Sequence, residues 1–225
     1  MHLQRIANTF IQMGYSTVNF DATNSRGESG SDEVGITFTG HYQDLEDVIH
    51  WAKMQSRYQE PFVLAGHSLG GMAVIYYTQQ HPGQVKTLIP ISTALSGDIF
   101  IEARKHTSLS AFEEREENGF YLKEDDLYTK HSQPPSTLKI PFNFVEDMKN
   151  YDCFSQSEKI VCSTLFINVD EDNPILLKYT KMFYDSLKCP KEMIILENCT
   201  HAMNTEKNLQ DLELALSSFI ETNRE

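Results

Sequence analysis

Hydrophobic positions along the chain follow two periods. Leu3, Ile6, Ala7, Phe10 and Ile11 recur at helical spacing, with Gly14 as the expected stop. Residues 15–20, Tyr-Ser-Thr-Val-Asn-Phe, read as a short strand ending at Asp21, and a loop rich in Ser, Gly and Asn follows over 22–35. Leu45, Val48, Ile49 and Ala52 mark a second helix. After Pro61, the apolar run 62–65 predicts a buried strand that ends in Gly66-His67-Ser68-Leu69-Gly70-Gly71. A helix is predicted over 70–80, stopped at His81-Pro82 because proline cannot continue it. Further apolar strands fall at 85–91, 164–169 and 192–196. A helix opens at Pro174 with Asn173 as its cap, and a last helix carries Leu209, Leu212, Leu216, Phe219 and Ile220 on one face.

Short apolar strands alternating with amphipathic helices predict an α/β fold: a mostly parallel sheet with helices on both faces. One stretch breaks the alternation. Residues 92–156 hold no clean strand and combine acidic residues (Glu113, Glu114, Glu116, Glu117) with aromatics (Phe100, Phe112, Phe142, Phe144). A Ser-Gln-Pro-Pro-Ser stretch at 132–136 divides it. It reads as an inserted helical cap, which makes 1–91 and 157–225 the core and 92–156 the insertion. The acidic run reads as a solvated helix face.

Composition narrows the function. The 225 residues carry 19 Lys and Arg against 32 Asp and Glu, a formal net charge of −13. Phosphate backbones and anionic membrane surfaces repel such a chain, so no nucleic-acid partner is expected. The four cysteines, Cys153, Cys162, Cys189 and Cys199, have no CxxC spacing and read as free thiols. No apolar run approaches the ~20 residues of a membrane span, and no secretory h-region follows Met1. The expected compartment is the cytoplasm.

The chemistry lies in Gly66-His67-Ser68-Leu69-Gly70, a G-x-S-x-G motif between a predicted strand and a predicted helix. A strand that reverses sharply into a helix leaves the Ser68 side chain exposed at the turn. The flanking glycines remove side chains that would clash. The helix N-terminus favours developing negative charge, with the Leu69 N–H as the expected oxyanion donor. A serine hydroxyl needs a base, itself oriented by a carboxylate, in the chain order Ser, Asp or Glu, His. His201 fits, in a loop between the last strand and the last helix. His67 lies in the elbow itself and reads as packing. His41, His50, His81, His106 and His131 read as surface residues, and His2 is terminal. Asp170, Glu171 and Asp172 all follow the strand at 164–169. Asp172 is preferred as the carboxylate, with Asp170 the alternative.

On these residues the chain resembles the α/β-hydrolases, nearest the esterase, monoacylglycerol-lipase and serine-aminopeptidase-like groups. Residues 66–71 match the family's Gly-His-Ser-x-Gly-Gly, and His201 matches its final histidine. Residues 169–172, Val-Asp-Glu-Asp, resemble the acidic turn usually written Gly-x-x-Asp, which favours Asp172. Residues 20–30 resemble its Asp-x-Arg-Gly-x-Gly-x-Ser loop, with Asn24 where glycine is usual. Residues 144–152 resemble the end of the small cap of bacterial esterases.

The resemblance implies a serine hydrolase of carboxylic esters, with Ser68, Asp172 and His201 as triad, a small-molecule ester as substrate, and neither metal nor organic cofactor. Aspartate replaces the elbow serine in haloalkane dehalogenases and epoxide hydrolases, which sets those aside. Peptidase, thioesterase and acyltransferase activities share the triad. A non-catalytic binding protein or a purely structural partner protein is the remaining alternative. The family normally begins with further strands, one ending in a His-Gly loop that supplies a second oxyanion N–H. No such loop precedes Ser68, so the expectation is a chain lacking its N-terminal strands. Losing one oxyanion donor costs on the order of 10²–10³ in turnover.

Overall fold

A computed structural model describes residues 2–23, 35–124 and 137–223. The elements run in the order α1 (His2–Gln12), α2 (Phe38–Lys53), β1 (Phe62–His67), α3 (Leu69–Gln80) and β2 (Val85–Ile91). Next come α4 (Gly97–Thr107), α5 (Leu109–Asn118), β3 (Phe120–Glu124), β4 (Thr137–Pro141) and α6 (Asn143–Met148). A 3₁₀ turn at Phe154–Lys159 leads to β5 (Ser163–Val169), α7 (Pro174–Ser186), β6 (Lys191–Leu196) and α8 (Glu206–Thr222).

Four strands form one parallel sheet in the order β1-β2-β5-β6. The central strands β2 and β5 are buried along nearly their whole length, as the apolar stretches 88–91 and 165–167 at their centres require. Helices cover both faces. Ile6 and Phe10 of α1 pack with Leu212, Leu216 and Phe219 of α8 against Ile89, Ile91, Leu165 and Ile167. Arg5 adds ion pairs to Glu206 at 2.7 Å and Glu213 at 3.3 Å. On the other face α3, hydrophobic nearly all round, is buried against β1 and β2, with α2 and the 3₁₀ turn at Phe154–Lys159 packed on it.

The helix boundaries follow local chemistry. Gly14 takes φ +89° just past α1. Asn173 caps α7 by accepting from the Ile175 N–H at 3.0 Å, with Pro174 at the first helical position.

Two expectations change. Residues 15–20 form no strand. Val18 and Phe20 are exposed there, and no described strand runs alongside. A β-rich run becomes a strand only when a ladder partner and a half-buried face are available. The stretch after β2 does hold strands: β3 and β4 pair antiparallel, from Phe120 opposite Pro141 to Glu124 opposite Thr137. The divider at 132–136 lies outside the described residues.

Residues 92–156 also share their core with the sheet. Leu95, Ile99, Phe112, Phe142, Phe144 and Met148 belong to the buried cluster that contains α3 and Phe166. Their aromatics pair edge to face, Phe100 with Phe144 at 5.8 Å and Phe112 with Phe142 at 5.6 Å. Gly97 lies so close to the Met148 carbonyl that a side chain there would collide with backbone. Asp147 accepts from both the N–H and the hydroxyl of Thr39, at 2.8 and 2.6 Å, which ties α6 to α2.

Candidate active site

Ser68 stands at the junction of β1 and α3 with φ +55° and ψ −118°. Such a conformation costs a non-glycine residue on the order of 1–3 kcal/mol and persists only where the surroundings enforce it. Here the Ser68 N–H donates to the Ile91 carbonyl at 2.9 Å, and the Thr93 hydroxyl donates to the Ser68 carbonyl at 2.7 Å. A side chain at Gly66 would run into the Gly70 carbonyl, and one at Gly71 would meet the Thr93 side chain at 2.7 Å. Close approach therefore requires glycine at Gly66 and Gly71, whereas Gly70, expected from the sequence to relieve a clash, has room for a side chain, its nearest neighbour being His41 Nε2 at 3.9 Å.

A serine at a helix N-cap normally turns its hydroxyl back to the helix amides. The Ser68 hydroxyl makes no such bond. It points instead at His201, with Oγ 3.0 Å from Nε2. The Leu69 N–H has no hydrogen-bond acceptor among the described residues and stands free at the positive end of α3.

His201 lies in the loop between β6 and α8. Its Nδ1 is 2.7 Å from Asp172 Oδ2. Asp172 is largely buried, 13% exposed, and its other oxygen accepts from the Asn173 N–H at 2.7 Å. With the carboxylate accepting at Nδ1, that nitrogen carries the imidazole proton and Nε2 is left as the acceptor facing Ser68.

Asp170, the sequence alternative, does not reach His201. Its two oxygens accept from the backbone N–H groups of Asn198 at 2.9 Å and Cys199 at 3.0 Å. Those two bonds hold its carboxyl below the ordinary range. The Glu171 N–H donates to the Cys199 carbonyl at 3.1 Å, and Asn208 Nδ2 donates to the Asn198 carbonyl at 3.2 Å. The loop that carries His201 is thus anchored at its start by two neighbouring segments, the turn after β5 and the first turn of α8.

Two histidines read as bystanders lie against these residues. Alternation along β1 turns His67 onto the same face as Val63 and Ala65, toward α1 and α8. There its Nε2 is 3.0 Å from the His201 carbonyl, and the two rings are 4.7 Å apart. A carbonyl can only accept, so His67 donates through Nε2–H. Burial, with His2 and His201 as positive neighbours when protonated, pushes its pKa down to about 3. His2 sits edge-on to His67 at 4.4 Å, and burial lowers its pKa too.

His41 is half-buried rather than on the surface, with Nε2 beside Gly70 of the elbow; burial lowers its pKa, opposed by Asp44. His81 stacks on Tyr77 at 4.2 Å, while His50 and His106 are exposed. His131, and residues 24–30 of the resembling loop, lie outside the described residues. A β-strand pattern tells which face His67 takes, but no sequence signal says that the His201 loop crosses that face.

Among the described residues no three His, Cys, Asp or Glu side chains are placed to hold a metal, and no helix is long and apolar enough to cross a membrane. All four cysteines are free. A cleft of about 350 Å³ lined by Tyr151, Phe154 and Tyr179 lies apart from Ser68, Asp172 and His201.

Residues 2–208 match the family model described as serine aminopeptidase, S33. The chain belongs to the serine aminopeptidase S33 family. Solved structures similar to this S33 member carry the α/β-hydrolase fold. Est1E from Butyrivibrio proteoclasticus, solved with ferulic acid bound, is 19% identical with a TM-score of 0.75 over 99% of this chain and 82% of its own. Mouse alpha/beta hydrolase domain-containing protein 10 is 17% identical, with a TM-score of 0.73 over 98% and 84%. The monoacylglycerol lipase of Paleococcus ferrophilus is 14% identical, with a TM-score of 0.70 over 97% and 88%. No curated protein sequence matches this S33 chain.

Proposed function

We propose that this S33 family member is a serine hydrolase that cleaves carboxylic esters through an acyl-enzyme. The observation that carries the reading is the chain of contacts from Ser68 Oγ to His201 Nε2 at 3.0 Å and from His201 Nδ1 to Asp172 Oδ2 at 2.7 Å. The ester preference draws on the names of similar structures, an esterase domain from a Rhodothermus marinus protein and a monoacylglycerol lipase.

In this reading Ser68 Oγ attacks the ester carbonyl as its proton passes to His201 Nε2. Asp172 keeps the Nδ1 proton and stabilises the imidazolium without itself being protonated. The tetrahedral oxyanion takes the free Leu69 N–H at the N-terminus of α3, where the helix dipole favours negative charge. Collapse returns the proton from His201 to the departing alcohol and leaves Ser68 acylated. Water, deprotonated by His201, then attacks the acyl carbonyl and releases the acid and free Ser68.

The test is labelling with a fluorophosphonate probe alongside turnover of p-nitrophenyl butyrate. Stoichiometric labelling that disappears in Ser68→Ala, together with ester turnover, supports the reading. Equal labelling of both proteins overturns the nucleophile assignment. Labelling accompanied by cleavage of an aminoacyl p-nitroanilide in preference to the ester assigns the same residues to a peptidase.

A further inference from the structure

We infer that His67 is a positioning residue: it ties the elbow that carries Ser68 to the loop that carries His201, by donating Nε2–H to the His201 carbonyl. The inference rests on the reading of Ser68 and His201 as nucleophile and base.

The reason lies in the topology. Ser68 follows β1, at one edge of the described sheet, and His201 follows β6, at the other. The two residues are 133 positions apart, and their side chains meet at 3.0 Å only if the loop after β6 reaches back across two strands. The anchors at the start of that loop, Asp170 on the Asn198 and Cys199 amides and Asn208 on the Asn198 carbonyl, act two or three residues before His201. Downstream, Met203 is fully buried and takes φ +46°. His67 alone among these contacts holds the backbone of the base residue itself, at 3.0 Å. It is also the chain neighbour of Ser68, so a single side chain spans the two reacting residues.

The donor is dependable. Between the rings of His2 and His201 the imidazole of His67 is desolvated, and a positive charge there would oppose that of the His201 imidazolium. A neutral ring with its proton on Nε2 keeps the same hydrogen bond throughout the cycle while His201 gains and loses a proton. A displacement of about 1 Å in such a pair is enough to cost about 10²-fold in rate.

The test compares the whole wild-type chain with His67→Phe, which keeps a ring without a donor, and His67→Gln, which keeps an N–H donor at similar reach. His67→Met replaces the Phe variant if the larger ring does not fold. Backbone deuterium exchange over 198–203 needs no turnover, so it judges the tether separately from the hydrolase reading. Failure of that reading shows as wild type that neither labels nor cleaves esters. Exchange in this loop is expected to rise about tenfold or more in His67→Phe and to stay near wild type in His67→Gln. Per fluorophosphonate-labelled site, kcat is expected to fall about 10- to 100-fold in His67→Phe with KM within about twofold. His67→Gln should recover to within about threefold of wild type, and the acid limb of the pH profile should move in His67→Phe alone. Wild-type exchange and kcat in His67→Phe overturn the inference. So do equal losses in both variants with equal falls in melting temperature, which would assign His67 to packing.

Discussion

Asp170 and Asp172 stand two residues apart after β5 and hold the same loop by different atoms. Asp172 takes the imidazole of His201 at 2.7 Å, and Asp170 takes the backbone N–H groups of Asn198 and Cys199 at 2.9 and 3.0 Å. One carboxylate faces the candidate chemistry and the other fixes where the chemistry's base sits. Asp172→Asn should lower kcat about 10⁴-fold with little change in melting temperature, because the amide favours the wrong imidazole tautomer. Asp170→Ala should lower the melting temperature and raise exchange over 198–203 with a smaller kcat loss. Steady-state kinetics and thermal melts on both variants check the division, and the reverse pattern would exchange the two roles.

Ser68→Ala should remove fluorophosphonate labelling and lower ester turnover by a factor on the order of 10⁶, since the residues act as one unit. Its fold should survive. The strained φ of +55° at this position is as demanding for alanine as for serine, so melting temperatures should agree closely. Circular dichroism and active-site labelling measured together test both halves.

Gly66 and Gly70 flank Ser68 symmetrically in sequence but not in space. A Cβ on Gly66 would collide with the Gly70 carbonyl, whereas one on Gly70 meets only His41 Nε2 at 3.9 Å. Gly66→Ala should therefore lose soluble, folded protein. Gly70→Ala should keep its melting temperature within about 2 °C, because Ala is the better helix residue. Expression yield and calorimetry decide, and equal tolerance would contradict the backbone contact.

The depressed pKa of His67 makes a pH prediction with a definite sign. Its folded pKa of about 3 lies below the ordinary 6.5, so over that window the unfolded chain binds more protons than the folded one. The stability it contributes is complete above pH 6.5 and is lost progressively as pH falls toward 3. His2, in edge contact with His67, carries a shift in the same direction, while His67 also faces His201. Urea midpoints measured from pH 7 to pH 4.5 should fall less steeply for His67→Gln than for wild type. Parallel curves would show that His67 does not contribute.

Asn173 both caps α7 and donates through Nδ2 to the Ala103 carbonyl at 2.8 Å and Thr107 Oγ1 at 3.0 Å, joining α7 to α4 next to Asp172. Asn173→Ala should cost about 1 kcal/mol for the cap, or about 2–4 °C for a chain of this size. Calorimetry measures it, and an unchanged melting temperature would remove the cap from the account.

The sequence by itself determined the parts whose information is local. The apolar runs that became β1, β2, β5 and β6, the elbow between Gly66 and Gly70, and the Asn173-Pro174 start of α7 are each set within a few residues. They depend on side-chain period, on room for backbone approach and on cap chemistry. Family membership was legible for the same reason, since the Gly-His-Ser-x-Gly-Gly motif is local and two of its glycines, Gly66 and Gly71, answer to contacts within and beside the elbow.

Only the tertiary structure decided relations between distant residues. Residues 15–20 have the composition of a strand but form none, because pairing needs a neighbour that composition does not supply. The hairpin of β3 and β4 has no long apolar run to mark it, since both strands, Phe-Tyr-Leu-Lys-Glu and Thr-Leu-Lys-Ile-Pro, mix apolar with charged residues. Asp172 rather than Asp170 meets His201, and His67 reaches the His201 carbonyl, because sheet order and loop anchors bring together atoms 29 and 134 residues apart. Periodicity names the face a side chain takes, and packing decides what waits there.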